Sequence, residues 1–160
     1  MAPYEVLMRT LKEHVSAYDI FETRGKTAIA ALLRNFAEYL RAPAHACRVG
    51  PPGMSLDAKP TTPIDHVAEL TQEGWFAACL IIQEASPVGV RIRLTFLARI
   101  DDDSIVVKLE HDPQDFRLKD LTPDGLAPFF AHVFTTLMDD LTTEPYKRAA
   151  GSAKRPIGFT

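Results

Sequence analysis

The sequence predicts an α+β domain in which two N-terminal helices precede a three-stranded antiparallel meander and a C-terminal helix. Three observations predict this α-α-β-β-β-α order: helical spacing of apolar residues in the first forty residues, almost perfect alternation over residues 90–100, and a second helical spacing from residue 123. An irregular, proline-rich insert separates the helices from the strands. A chain of 160 residues suits one domain of this class.

The first forty residues have the apolar spacing of amphipathic helices. Every third or fourth residue is apolar from Tyr4 to Tyr18, and the same spacing returns from Arg24 to Arg41. Pro43 ends the second stretch, because proline lacks an amide donor and clashes with the preceding turn. We therefore expect two helices, joined by a short link into an antiparallel pair.

Gly25, Lys26 and Thr27, at the start of the second predicted helix, are the last three letters of a phosphate-binding P-loop. Ile20 stands where that loop needs its first glycine, and the preceding residues have helical rather than strand spacing. The P-loop is therefore excluded. A weaker alternative is that residues 23–27 form a helix N-terminus that attracts anions, and a solvated first turn is the plainer interpretation.

Residues 42–74 have no regular periodicity and contain five prolines and three glycines. One short helix is expected at residues 62–65, because Thr62 can cap it and Pro63 fits its first position. Long irregular connections inside a compact domain are uncommon and often functional. Any binding loop of this protein is therefore expected in this segment.

Three strands follow, at residues 75–84, 90–100 and 105–111. The middle strand alternates apolar and polar residues, as a strand with one face on the core does. Proline and glycine favour a turn at residues 86–89, and residues 101–104 form the next turn. The three aspartates of that second turn lack the spacing of a calcium loop and are interpreted as a soluble hairpin tip.

The outer face of this sheet is predicted to be the partner-binding surface. A turn at residues 86–89 pairs Ile82 with Arg93 and Ala78 with Leu97, which puts an apolar centre inside a rim of arginines, the composition of a contact surface. The predicted members are Phe76, Leu80, Ile82, Arg91, Arg93, Leu97, Arg99 and Val106. The alternative is that a helix covers this face, since three helices can cover one face of a sheet or both.

The C-terminal helix is predicted from Pro123 to Thr143, with Thr122 as its N-cap. Residues 1–145 are expected to form a single domain, and residues 146–160 a flexible basic tail with four basic and no acidic residues. The net charge is −3, so four positive charges on the tail leave −7 on the body. An acidic body argues against nucleic-acid binding except through the tail.

Side chains that could carry chemistry are scattered. A possible ligand site is predicted from His45, Cys47, His66 and His111, whereas His132 is expected on the surface of its helix. The spacing of the four residues matches no zinc motif, and no nucleophile motif accompanies them. We therefore predict no metal, no cofactor and no catalytic residue.

The sequence favours a non-enzymatic protein-binding or accessory module that binds itself, as a homodimer, or another protein through the outer sheet face. The alternative is a small-molecule-binding protein or small enzyme, with a site between sheet and helices gated by residues 42–74. No apolar run suits a membrane span or a signal peptide, and two cysteines without an export signal are expected to be reduced. A cytoplasmic location is therefore expected.

Overall fold

The computed structural model describes residues 2–59, 63–84, 89–143 and 157–159. In chain order the elements are α1 (Pro3–Tyr39), β1 (Cys47–Gly50), β2 (Glu69–Leu70), β3 (Phe76–Gln83), β4 (Arg91–Asp101), β5 (Ser104–Leu109), β6 (Phe116–Leu118), α2 (Pro123–Thr142) and β7 (Ile157–Phe159). Short 3-10 helices at Ala44–Ala46 and Ile64–His66 precede β1 and β2. The α+β class is confirmed, with a long N-terminal helix, an antiparallel sheet and a C-terminal helix.

Among the described residues the sheet has seven strands, and all of their pairings are antiparallel. The order is β1-β3-β4-β5-β6. Strand β2 pairs with the same edge of β3 as β1 does, and β7 pairs with the same edge of β4 as β5 does. The predicted meander is confirmed as β3, β4 and β5. Of the predicted tail, residues 157–159 form β7, and residues 146–156, which include all four basic residues, and residue 160 lie outside the described residues.

The predicted pair of N-terminal helices is wrong, because α1 is one continuous helix of 37 residues. The sequence between Tyr18 and Arg24 contains no proline or glycine that would stop it. Gly25 lies inside the helix, where a Cβ atom would come within 2.2 Å of the Phe76 ring. This glycine lets the helix approach the sheet, and the predicted helix N-terminus at residues 23–27 does not exist.

The register between β3 and β4 also differs from the prediction. Gln83 lies opposite Arg91, so seven residues lie between these two paired residues. The predicted pairing leaves six residues between the paired ends of the two strands. A shift of one residue exchanges the two faces of a strand. Phe76, Leu80 and Ile82 therefore face the helices and pack in or against the core, and their predicted place on the outer sheet face is wrong.

The core lies between the inner sheet face and the two helices. Phe36 of α1 is 5.4 Å from Phe96 of β4 and 5.2 Å from Phe130 of α2, measured between ring centroids. The second half of α1 and one side of α2 thus share one sheet face. In the part of the chain that the structure describes, the first half of α1 and the outer sheet face are two large surfaces outside this core.

No helix among the described residues is both long enough and apolar enough to cross a membrane.

Candidate functional site

The first half of α1 extends beyond the sheet. Residues 3–20, which we call the projecting half, are exposed except for the half-buried Met8, and continuous packing begins at Phe21. Eighteen residues of α-helix are about 27 Å long. Isolated helices are marginal in water, and most helical stability in proteins comes from packing of an amphipathic face.

The projecting half carries an apolar stripe on one side. Tyr4 is 70% exposed, and Leu11 and Val15 are each 49% exposed. The spacing of three and four residues places the members on one side of the helix, and we call this row the apolar stripe. It consists of Tyr4, Leu7, Met8, Leu11, Val15 and Tyr18.

The apolar stripe lies on the same side of α1 that packs against the sheet further along the helix. After Tyr18 the helical spacing continues through Gly25, Ile29 and Leu32, which are all buried. One amphipathic face is therefore covered by the sheet over its second half. No described residue covers it over its first half.

Charges of alternating sign run along one flank of the apolar stripe. Glu5, Lys12, Asp19 and Lys26 follow each other at intervals of seven residues, or about two helical turns. The Nζ atom of Lys26 lies 2.8 Å from a carboxylate oxygen of Glu22. Charged residues therefore border the apolar stripe along this flank, and their row continues past the stripe to Lys26.

The outer sheet face is partly covered by residues 51–59. Arg48 donates hydrogen bonds to two main-chain carbonyls of this segment. Arg91 donates to one of the same two carbonyls at 3.2 Å, and Arg93 donates to the Met54 carbonyl at 2.8 Å. Two of the three arginines were predicted as the rim of a partner surface. In the structure they hold a segment of their own chain against the sheet.

A groove of about 410 Å³ remains on the outer sheet face. Trp75 lies in it, with the Arg99 guanidinium 4.6 Å and the Lys108 ammonium 5.6 Å from its ring centroid. These distances are those of cation–π contacts. Leu97 and His111 also line the groove, so this part of the outer sheet face has both polar and apolar character.

The four residues of the predicted ligand site lie apart. His111 lines the groove on the outer sheet face, and His66 lines another groove of about 410 Å³ beside Lys26 of α1. His45 is exposed, and Cys47 is half-buried against the core. Within the described ranges no cluster of three or more His, Cys, Asp or Glu side chains could hold a metal ion.

Neither cysteine has the environment of a reactive thiol. Burial raises the pKa of the Cys47 thiol. Burial also raises the pKa of the Cys79 thiol, and main-chain hydrogen bonds and Arg93 oppose that shift less strongly. A raised pKa lowers the fraction of the nucleophilic thiolate at neutral pH.

One buried polar pair was missed by the sequence prediction. His132 is half-buried rather than on the surface, and its Nε2 atom lies 2.7 Å from Oδ2 of Asp112. Its ring also packs on Phe116 at a centroid distance of 5.2 Å. No local pattern indicates this pair, because its two members belong to different elements.

Comparison of the chain with protein-family models, curated proteins and solved structures finds no match. Of the two surfaces, the outer sheet face is partly covered by residues 51–59, and its groove is lined by charged and polar side chains as well as apolar ones. The projecting half has a continuous apolar stripe that no described part of the chain covers. The projecting half is therefore the stronger candidate for a functional surface.

Proposed function

We propose that this chain is a non-enzymatic accessory module that self-associates through the projecting half of α1. The apolar stripe carries this proposal, since its large side chains are exposed in a contiguous row. Complete burial of one such side chain stabilises by roughly 1.5–3 kcal/mol. Association therefore supplies the packing that residues 3–20 lack within one chain.

The charges of the projecting half favour a protein partner over a lipid surface. Helices that lie on membranes concentrate lysine and arginine on their polar side. Here the acids Glu5, Glu13 and Asp19 are mixed with the bases Arg9 and Lys12. Mixed charge beside an apolar stripe is the pattern of helices that pair with other helices.

A small-molecule-binding protein is the second candidate, and the groove around Trp75 favours it. Its volume lies within the range of roughly 300–1,000 Å³ usual for ligand pockets. An aromatic ring with Lys108 and Arg99 beside it suits an aromatic carboxylate. This candidate predicts a rise in Tm with such a compound that is lost in Trp75→Ala.

Native mass at several protein concentrations tests the preferred function. We expect the wild-type mass to be a multiple of the chain mass, and Leu11→Glu to reduce it to one chain. Leu97→Glu is the matched variant on the outer sheet face, and we expect it to keep the assembled mass. The circular dichroism and Tm of each variant establish that it is folded.

Two other outcomes would contradict the proposed contact. Loss of assembly in Leu97→Glu, but not in Leu11→Glu, would move the contact to the outer sheet face, where the sequence prediction put it. A wild-type protein of single-chain mass at all concentrations would contradict self-association.

A further inference from the structure

We infer that the projecting halves of two copies pack as an antiparallel helix pair in one register, with Tyr4 beside Val15 of the second copy and Met8 beside Leu11. The inference rests on the proposed self-association. It adds the direction of the pair, its register and the residues that select the register.

The direction follows from the continuity of the apolar stripe with the buried part of α1. Contact between the helix and the sheet begins at Phe21 and Gly25, which both lie against Phe76. A parallel partner would continue along the same side and bring its own domain into the space of this sheet. An antiparallel partner ends before Gly25, and the two domains lie at opposite ends of the pair.

The charged flank distinguishes between neighbouring registers, which differ by seven residues. In one antiparallel register Glu5 lies opposite Lys12 of the second copy, and symmetry forms this pair twice. In the next register Lys12 lies opposite Lys12, and Glu5 lies opposite Asp19. Opposite charges stabilise and like charges destabilise such a pair, so the first register is favoured.

The apolar contacts agree with the favoured register. Tyr4 meets Val15 and Met8 meets Leu11, and symmetry repeats both contacts, so the pair has four entirely apolar layers. This agreement is a second argument for the register, because the apolar contacts and the charge pairs are made by different residues.

A third register also pairs opposite charges, Lys12 with Asp19. It places Leu11 against Glu22, whose carboxylate lies 2.8 Å from Lys26 in the same helix. Burial of that carboxylate against leucine costs free energy, and no other contact in this register offsets the cost. Only the register with Tyr4 beside Val15 satisfies both the charges and the apolar layers.

A contact of four layers is smaller than the interface of about 1,600 Å² typical of stable complexes. We therefore expect the pair to dissociate at roughly micromolar concentration. Its mass should consequently depend on dilution within an accessible range.

Disulfide formation between two variants, each with one exposed introduced cysteine, tests the register. Both carry Cys47→Ser, and Cys79 is kept because it is fully buried. One chain carries Tyr4→Cys and the other Val15→Cys. We expect a disulfide in the oxidised mixture and none in either variant alone, since two copies of Tyr4 would be about 16 Å apart along the axis, beyond the reach of a disulfide.

The other outcomes separate the inference from the proposed function. Disulfides in each variant alone would show a parallel pair, and no disulfide at all in an assembled protein would show a different register. Either result would overturn the inference and leave self-association intact. A single-chain mass for the unmodified protein would overturn both.

Charge exchange gives a second measurement on the full chain. Glu5→Lys and Lys12→Glu should each weaken association about tenfold, because both symmetry-related pairs become repulsive. An equimolar mixture of the two variants should restore it, since the introduced lysine of one chain then meets the introduced glutamate of the other. Glu13→Lys, on the opposite side of the helix, is the control and should change little. Failure of the mixture to recover would contradict the inferred pairs.

Discussion

The Nε2 atom of His132 in α2 lies 2.7 Å from the carboxylate of Asp112, which follows β5. Asp112 is 8% exposed, and its other oxygen accepts a hydrogen bond of 3.0 Å from the amide of Gln114. The carboxylate thus organises its own loop and attaches it to α2. A buried polar group with all partners present adds rigidity, and the loss of one partner is costly.

We expect His132→Ala to lower the free energy of unfolding by about 1–3 kcal/mol, because it leaves one oxygen of a nearly buried carboxylate without its partner. His132→Gln can still donate a hydrogen bond and should lose less. Urea denaturation at pH 7 measures both, with the exposed His45→Ala as the control. Equal midpoints for the Ala variant and the wild type would show that the contact contributes nothing.

Gly25→Ala should destabilise the protein, although alanine is favoured over glycine in helices by about 1 kcal/mol. The added Cβ would lie 2.2 Å from the Phe76 ring, which Phe21 confines at a centroid distance of 5.2 Å. Overpacking of this kind typically costs about 1–3 kcal/mol.

The matched control for Gly25→Ala is Ser16→Ala at an exposed position of the same helix, which should be neutral or slightly stabilising. Thermal unfolding of the two variants measures the difference. A higher Tm for Gly25→Ala than for the wild type would contradict the close contact between helix and sheet.

Strand β4 could be predicted from sequence and its register with β3 could not, for a physical reason. One face of β4 carries apolar side chains on the core, so its alternation is visible locally. Strand β3 is buried on both faces, since Cys79 and Ile81 on the outer side are as buried as Leu80 on the inner side. A strand without alternation does not specify its register, and the connection to β4 decides it.

The apolar stripe was visible in the sequence, but the absence of a covering element was not. Helical spacing from Tyr4 to Tyr18 predicts an amphipathic helix and says nothing of what the helix packs against. Strands β1, β2 and β6 escaped prediction because two to four residues are too few to display a period. The role of Arg48, Arg91 and Arg93 depends on contacts with residues 51–59 that no local pattern encodes.

Arg93→Met should loosen residues 51–59, because it removes the hydrogen bond of 2.8 Å to the Met54 carbonyl. A hydrogen bond from a charged donor contributes about 1.5–3 kcal/mol, so amide exchange in this segment should be at least roughly tenfold faster. Arg99→Met is the control, since Arg99 contacts Trp75 instead. Unchanged exchange in Arg93→Met would show that the remaining contacts suffice.

The N-cap of α2 couples helix stability to the titration of Asp120. The hydroxyl of Thr122 accepts a hydrogen bond of 3.1 Å from the amide of Gly125 and donates one of 2.6 Å to the Asp120 carboxylate. Hydrogen bonds from Thr122 lower the pKa of Asp120, the side-chain bond more strongly than the main-chain bond. Because folding favours its ionised form, its stabilising contribution is present above the unfolded-state pKa and is lost as pH falls through the folded-state pKa.

Thr122→Ala should therefore lower the free energy of unfolding by about 1 kcal/mol at pH 7 through loss of the cap, and raise the pKa of Asp120 towards its ordinary value. The main-chain hydrogen bond remains, so this pKa should recover only in part. Denaturation at pH 7 and an NMR titration of the Asp120 carboxyl group measure the two effects. Thr122→Ser preserves both hydroxyl contacts and should match the wild type. An unmoved Asp120 pKa in the Ala variant would mean that the hydroxyl does not stabilise the carboxylate.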